Sequence, residues 1–223
     1  MIKSKITKEE VNQLPVILFE GEVTVVDSDE KVHDALSDLQ QHEIVGIDTE
    51  TKPSFRKGVL HKVALLQIST PNHCYLFRLN RISFPRELGV FLSDKSILKI
   101  GLALKDDFTA LNKHHKFKPE NVVDLQSIVK DYGIMDLSLQ KIFALVFNQK
   151  ISKSQRLTNW EIQDLTEQQQ RYAATDAWAA LMIYKRLIKE EKLSKKEIEM
   201  IVNQLAQAVQ SNTRDVISDA HAV

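Results

Sequence analysis

The sequence predicts an α/β protein: a mixed sheet flanked by helices, with an added helix at the C-terminal end. Three features point there. Three strand-like segments follow one another between residues 43 and 79, helix and strand patterns then alternate as far as residue 128, and the chain reads as helical from Leu137 onward. A meander followed by alternation is the pattern of a mixed sheet covered by helices.

Thr7 and Glu10 have capping-box spacing and start a short helix that must end before Pro15. "EVTVVDS" (22–28) is rich in β-branched residues and reads as a strand. Asp27 and Glu30 then open a helix to about Leu39. "EIVGIDTE" (43–50) and "VALLQIST" (63–70) are strands, Pro71-Asn72 is a turn, and "CYLFRL" (74–79) is a third strand, giving an antiparallel meander. A helix near Arg86–Leu92, a strand "ILKIGLAL" (97–104), a helix from Asp106 to Lys113 and a last strand "NVVDLQSI" (121–128) follow. Thr166 and Gln169 have capping-box spacing again, so the helix containing "YAATDAWAALMIY" (172–184) starts there. Further on, Ile198, Ile201, Val202, Leu205 and Val209 recur at helical spacing, a stripe that must bury on this chain or on a partner; burial on this chain is the simpler expectation. The closing "SNTRDVISDAHAV" reads as a mobile tail.

Composition narrows the function classes. The 223 residues fit one domain with appendages, 30 basic and 30 acidic residues cancel, and 43% hydrophobic content suits a water-exposed globular chain. Zero net charge counts weakly against nucleic acid, although acidic groups at a metal site can mask basic patches. The opening "MIKSKITKEEVNQLP" lacks the apolar core of a signal peptide, and no apolar run approaches a membrane span. Cys74 is the one cysteine, so no internal disulfide forms; a cytoplasmic, intracellular location without membrane association is expected. His114-His115 reads as a solvated helix end rather than a metal site, since adjacent histidines rarely face one ion.

Four carboxylates carry the chemistry. Asp48 and Glu50, two apart on a strand, point to one face of the sheet. Asp107, with Asp106 as its rival, sits at a helix start, where capping alone would explain an aspartate. Tyr172 and Asp176, four apart on a helix, share a face, and the alanines around them let the backbone approach a neighbour closely. Each pair alone has an ordinary explanation. Converged, the four carboxylates carry about −4, which two divalent ions would balance; an all-oxygen set without His or Cys suits Mg²⁺ or Mn²⁺. Such a site fits in-line displacement at a phosphodiester, with Tyr172 holding the attacking water. Lys52, Arg56, Lys57 and Lys62, directly after the first pair, and Lys153 and Arg156, just before the catalytic helix, are candidate phosphate contacts. Phe55 and Trp160 could stack on bases, whereas Trp178, beside the alanines, reads as core.

"IDTET", "KIGLALKDDFTAL" and "YAATD" resemble the three motifs of the DEDD 3′–5′ exonucleases, the last in its tyrosine form, DEDDy. "KVALLQIST", "CYLF" and "KSQRLTNW" are similar to the exonuclease domain of the Werner syndrome protein, with ribonuclease D a more distant relative. The resemblance divides the chain into an arm (1–21), an exonuclease domain (22–190) and a C-terminal helix and tail (191–223). It implies a ribonuclease H-like fold, two divalent metal ions, and hydrolysis from the free 3′ end of a nucleic acid, DNA favoured over RNA, releasing 5′-mononucleotides. By position it implies that Asp48 bridges both ions, that Glu50 and Asp176 hold the one beside the water, that Asp107 supports the other, and that Tyr172 orients the nucleophile. The paired Asp106-Asp107 departs from the motif, and the resemblance does not extend to the helical nucleic-acid-binding domain that follows in ribonuclease D. A ribonuclease D-like trimming enzyme and a non-catalytic nucleic-acid-binding module are the alternatives.

Overall fold

A computed structural model describes residues 2–54 and 61–220, with the side chains of 209–220 outside the described set. Thr7 opens α1 (Lys8–Gln13): its hydroxyl accepts from Glu10 N, and the Glu10 carboxylate accepts from Thr7 N. β1 (Val16–Ile17), β2 (Glu22–Val26) and α2 (Asp29–Leu39) follow. Ser28, not Asp27, caps α2, accepting from Lys31 N, while Asp27 is drawn into an ion pair with Lys31. β3 (Ile44–Thr51), β4 (Val63–Ser69) and β5 (His73–Arg78) form the expected antiparallel meander. Then come α3 (Leu79–Ile82), α4 (Arg86–Leu92), β6 (Leu98–Gly101), α5 (Leu104–Leu111), β7 (Val122–Asp124), α6 (Leu125–Ile128) and a 3₁₀ turn at Val129–Tyr132. α7 (Leu139–Phe147), β8 (Lys150–Ile151), α8 (Glu167–Leu187) and α9 (Lys195–Ala220) complete the chain.

Six strands pair in the order β2-β5-β4-β3-β6-β7, with antiparallel pairing inside the meander and parallel pairing on both sides of it. β1 and β8 make a separate two-stranded parallel pair that ties residues 16–17 to residues 150–151. The mixed sheet with flanking helices is therefore as expected, and several boundaries are not. The segment 121–128 is strand only to Asp124, whose carboxylate then caps α6 by accepting from Gln126 N. The strand at 97–104 stops at Gly101, and α5 starts two residues before the predicted Asp106, because Ala103 takes a left-handed conformation (φ 60°) that turns the chain early. The region after Leu137 is not continuously helical: β8 and a loop over 152–165 interrupt it. α9 continues through Ala220, where the sequence suggested a mobile tail. Ile201 of its apolar stripe packs near Gly133, whereas Val202 stays 41% exposed. Among the described residues no helix is long and apolar enough to cross a membrane.

Helices cover both faces. β3 alternates: Val45 and Ile47 join a core with α2, α4 and α5, while Gly46 and Asp48 face α8. α8 is seated by small residues, with Ala173, Ala174, Ala177, Ala179 and Ala180 all buried. At Gly46 the approach is at its limit, since a Cβ there would lie 2.0 Å from Ala177 O. The opposite case is Gly89 in α4, where a Cβ would meet nothing nearer than 3.5 Å.

These two glycines should respond oppositely to alanine. Gly46→Ala must push α8 off β3 and is expected to cost about 1–3 kcal/mol, lowering Tm by roughly 2–12 °C. Gly89→Ala should be neutral or raise stability by about 0.4–1 kcal/mol. Calorimetry on both variants checks this, and equal effects would show that the close approach is not what fixes α8.

Candidate active site

β3 extends past β6, which pairs with it only at Ile44–Gly46. The free end of β3 carries Asp48 and Glu50 toward α8, and Thr49 toward α5. On α8, Asp176 is next to Ala177, the residue pressed on Gly46, so the strand and helix backbones deliver Asp48 and Asp176 to one place. One ligand oxygen from each of Asp48, Glu50 and Asp176 lies within 4.8 Å of the others. Asp107 enters from the opposite side, in the first turn of α5, and its Oδ1 accepts from Thr49 Oγ1 at 2.5 Å. Its charge reaches both Asp48 and Glu50, whereas Asp106 is exposed.

The electrostatics are those of a crowded anionic site. Burial, then the charges of Asp176, Asp107 and Glu50, push the Asp48 carboxyl well above the usual carboxylate range. Burial, then Asp176 and Asp107, raise Glu50 to about 8; Arg156 acts in the other direction. Burial raises Asp176 to about 7 against the hydrogen bond from Tyr172 and the charge of Lys153. Burial also raises Asp107 to about 6, opposed by the Thr49 hydroxyl and assisted by Asp106 and Asp124. Tyr172 is held above its ordinary value by burial and by Asp176, so its hydroxyl stays protonated and donates to that carboxylate.

This donor set fits a divalent cation. It offers only hard oxygens, converged from two elements, and without positive charge it must retain protons to be tolerated. Asp48, Glu50 and Asp176 are the three that could share one ion, with Asp107 placed to support charge on the side of α5.

The candidate phosphate contacts divide. Lys153 and Arg156 lie on the loop before α8 and act electrostatically on Asp176 and Glu50. Lys52 is paired with Glu161 at 3.3 Å, and Lys62 lines a cleft with His114 and Glu161. Phe55, Arg56 and Lys57 lie outside the described residues. Trp160 is fully buried and cannot stack on a base; its ring packs 6.0 Å from that of Tyr172, and its indole N–H approaches Glu50 without completing a hydrogen bond. Trp178 packs between Phe19 and Phe143, as read. Just past the end of α5, His115 is exposed with its ring stacked on Phe84, and His114 is half-buried beside it.

Three features around the site were not read from the sequence: two contacts, one each of Asp124 and Gln169, and the burial of Gln67. Asp124 accepts from Ala103 N at 3.1 Å and Leu104 N at 3.0 Å, which fixes the start of α5 and hence Asp107. Gln169 donates to Thr158 Oγ1 at 3.1 Å and joins the 152–165 loop to α8. Gln67 is fully buried directly across from Asp48 on β4, with neither amide atom partnered. A buried polar residue opposite an acidic one was the available signal for Gln67; the other two depend on tertiary contacts.

The family model for 3′-5′ exonucleases matches residues 23–192. The chain is 34% identical over 155 residues to the mouse bifunctional 3′-5′ exonuclease/ATP-dependent helicase WRN, covering 67% of this chain and 11% of that protein. It is also 34% identical over 167 residues to a 3′-5′ exonuclease of Arabidopsis thaliana, covering 70% of this chain and 57% of the relative. The chain thus spans only part of these relatives. Among solved structures, the Nibbler EXO domain of Aedes aegypti superposes with a TM-score of 0.69 at 23% identity, over 84% of this chain and 98% of that one. That likeness shows the fold.

The raised carboxyls make stability depend on pH in a definite direction. The folded site holds its protons more tightly than the unfolded chain, whose carboxyls titrate near 4. Its favourable contribution is therefore full below about pH 4 and is lost as pH rises through about 6 to 8. In EDTA, Tm should fall between pH 6 and 8.5, and Glu50→Gln should sit roughly 2–6 °C above wild type at pH 8.5. A variant no more stable than wild type there would mean the site is not electrostatically strained.

Proposed function

The chain belongs to the 3′-5′ exonuclease family, and from that premise we propose that it hydrolyses phosphodiester bonds at the free 3′ end of a nucleic acid, DNA in preference to RNA. The observation that carries this is the convergence of Asp48, Glu50 and Asp176, with oxygens within 4.8 Å, beside the buried Tyr172. The DNA preference is supported by the segments "KVALLQIST" and "KSQRLTNW", which resemble the Werner domain.

In this reading Asp48, Glu50, Asp107 and Asp176 would hold two divalent ions, Mg²⁺ or Mn²⁺. Bound there, the ions supply positive charge to the reacting phosphate and acidify the attacking water. The protein does the rest. Tyr172 remains protonated, so it orients the water by hydrogen bonding rather than serving as the base. Lys153 and Arg156 meet the phosphate as it enters. Trp160 and the alanine-lined seat of α8 keep Tyr172 and Asp176 from shifting. The products are 5′-mononucleotides, released one at a time from the 3′ end.

A time course on matched 5′-labelled DNA and RNA strands, with Mg²⁺, Mn²⁺ or EDTA, tests the proposal. A ladder that shortens from the 3′ end only with metal is expected, faster on DNA. Faster loss of RNA would reverse the substrate preference, and no cleavage of either strand would sink the enzymatic reading. Asp48→Ala should abolish the ladder while leaving the fold intact. Tyr172→Phe should slow turnover on the order of 10²-fold, and wild-type rates in that variant would make Tyr172 a packing residue.

A further inference from the structure

Two clefts run into one another beside Tyr172 and Lys153, the groups that act on Asp176. One, about 470 Å³, is lined by Tyr172, by the exposed apolar side chains of Val16 and Leu18, and by the opposed charges of Glu167 and Arg171. The other, about 520 Å³, is lined by Lys8, Lys141, Lys150 and Lys153 and by no acidic residue. Val16, Ser152 and Ser154 line both, so the clefts form one groove, with Tyr172 in one half and Lys153 in the other.

Its walls come from the arm and from the β8 region, locked together by the β1–β8 pairing, by Lys150 N donating to Pro15 O and by Ile6 N donating to Asp136 Oδ2. The arm lies ahead of the residues that match the family, whereas the β8 side of the groove lies within them. The charge of this groove is unusual for a chain with zero net charge. Lys141 is paired with Asp136 at 3.0 Å. Among the described residues Lys8, Lys150 and Lys153 meet no carboxylate at ion-pair distance, and Lys150 Nζ is held in place by donating to Asn12 O at 2.6 Å. Ser138, Ser152 and Ser154 add neutral donors.

Lysines and hydroxyls on one side of a groove, with exposed apolar side chains beside them, match a flexible polyanion that carries planar apolar groups. The lysines neutralise phosphates, while Val16 and Leu18 offer contact to sugars and bases. We propose that this groove is the track for the single nucleic-acid strand beyond the reacting phosphate, and that Lys8 and Lys150 contact its backbone. The proposal rests on the exonuclease reading, which supplies the reacting phosphate at the carboxylates.

The test uses the full chain and three substrates: the p-nitrophenyl ester of thymidine 5′-monophosphate, which has no further strand, and single-stranded 20-mers of DNA and of RNA. Lys8→Glu/Lys150→Glu should lower kcat/KM on a 20-mer at least tenfold at moderate salt and leave ester hydrolysis unchanged. The milder Lys8→Gln/Lys150→Gln should shift it the same way by less, which separates charge from misfolding. Binding of the 20-mers in EDTA should lose about 0.7 from its log–log salt slope for each lysine removed. An effect on one strand type alone supports the track and names its occupant. Unchanged 20-mer kinetics and salt slope, or ester hydrolysis falling in parallel with 20-mer cleavage, would overturn it. Wild-type protein that binds the 20-mers with this salt slope but hydrolyses nothing would remove the exonuclease reading and leave the groove standing.

Discussion

Gly46 and Ala177 meet backbone against backbone, and the position of almost every group in the site depends on that contact. A Cβ at Gly46 would fall 2.0 Å from Ala177 O, so α8 can lie this close only because the strand offers no side chain there. Two residues further along the same face of β3 is Asp48, and one residue back along α8 is Asp176. The carboxylates are therefore brought together by main-chain packing rather than by mutual attraction, which is just as well, because they repel. The favourable energy comes from apolar burial on both faces of the sheet, and the site draws on it.

A second layer of contacts holds the positive groups in place. The loop between β8 and α8 has no regular structure to fix it, yet it carries Lys153 and Arg156. It is pinned at its far end by Arg78, a buried guanidinium that donates to Ile162 O at 2.5 Å, and by Arg81, which donates to Gln163 O at 2.6 Å. Gln169 pins it to the first turn of α8. Charge-assisted bonds of this kind are among the stronger ones available to a loop.

The parts of the site that follow a local period were legible in the sequence. Asp48 and Glu50 obey the strand period of two, Tyr172 and Asp176 the helical spacing of four, and the alanines between them announced a close approach. Both capping boxes were readable because their partners are three residues apart. What could not be read was set by tertiary contact. β1 and β8 have two residues each, too few to show a period, and each exists only because the other is there. Asp124 looked like the middle of a strand, since nothing local marks an aspartate that caps its own helix and also receives two N–H groups from the start of another. Nor did the sequence show that Lys52 would pair with Glu161, over a hundred residues further on.

The small β1–β8 pair also bears on the order in which the protein is assembled. Its two strands are separated by more than half of the chain, and Phe19, just beyond β1, donates its N–H to Thr175 on α8. The arm thus finds its first partners at residues 135–136, where Met135 N donates to Ser4 O and Ile6 N to Asp136 Oδ2, and the rest only when β8 and α8 have been synthesised and placed. Non-local pairings of this sort form late and slowly, because the entropy of closing the intervening loop must be met before any contact repays it. The arm, made early on the ribosome, should be among the last segments to settle, and the groove it completes would be the final part of the molecule to take shape.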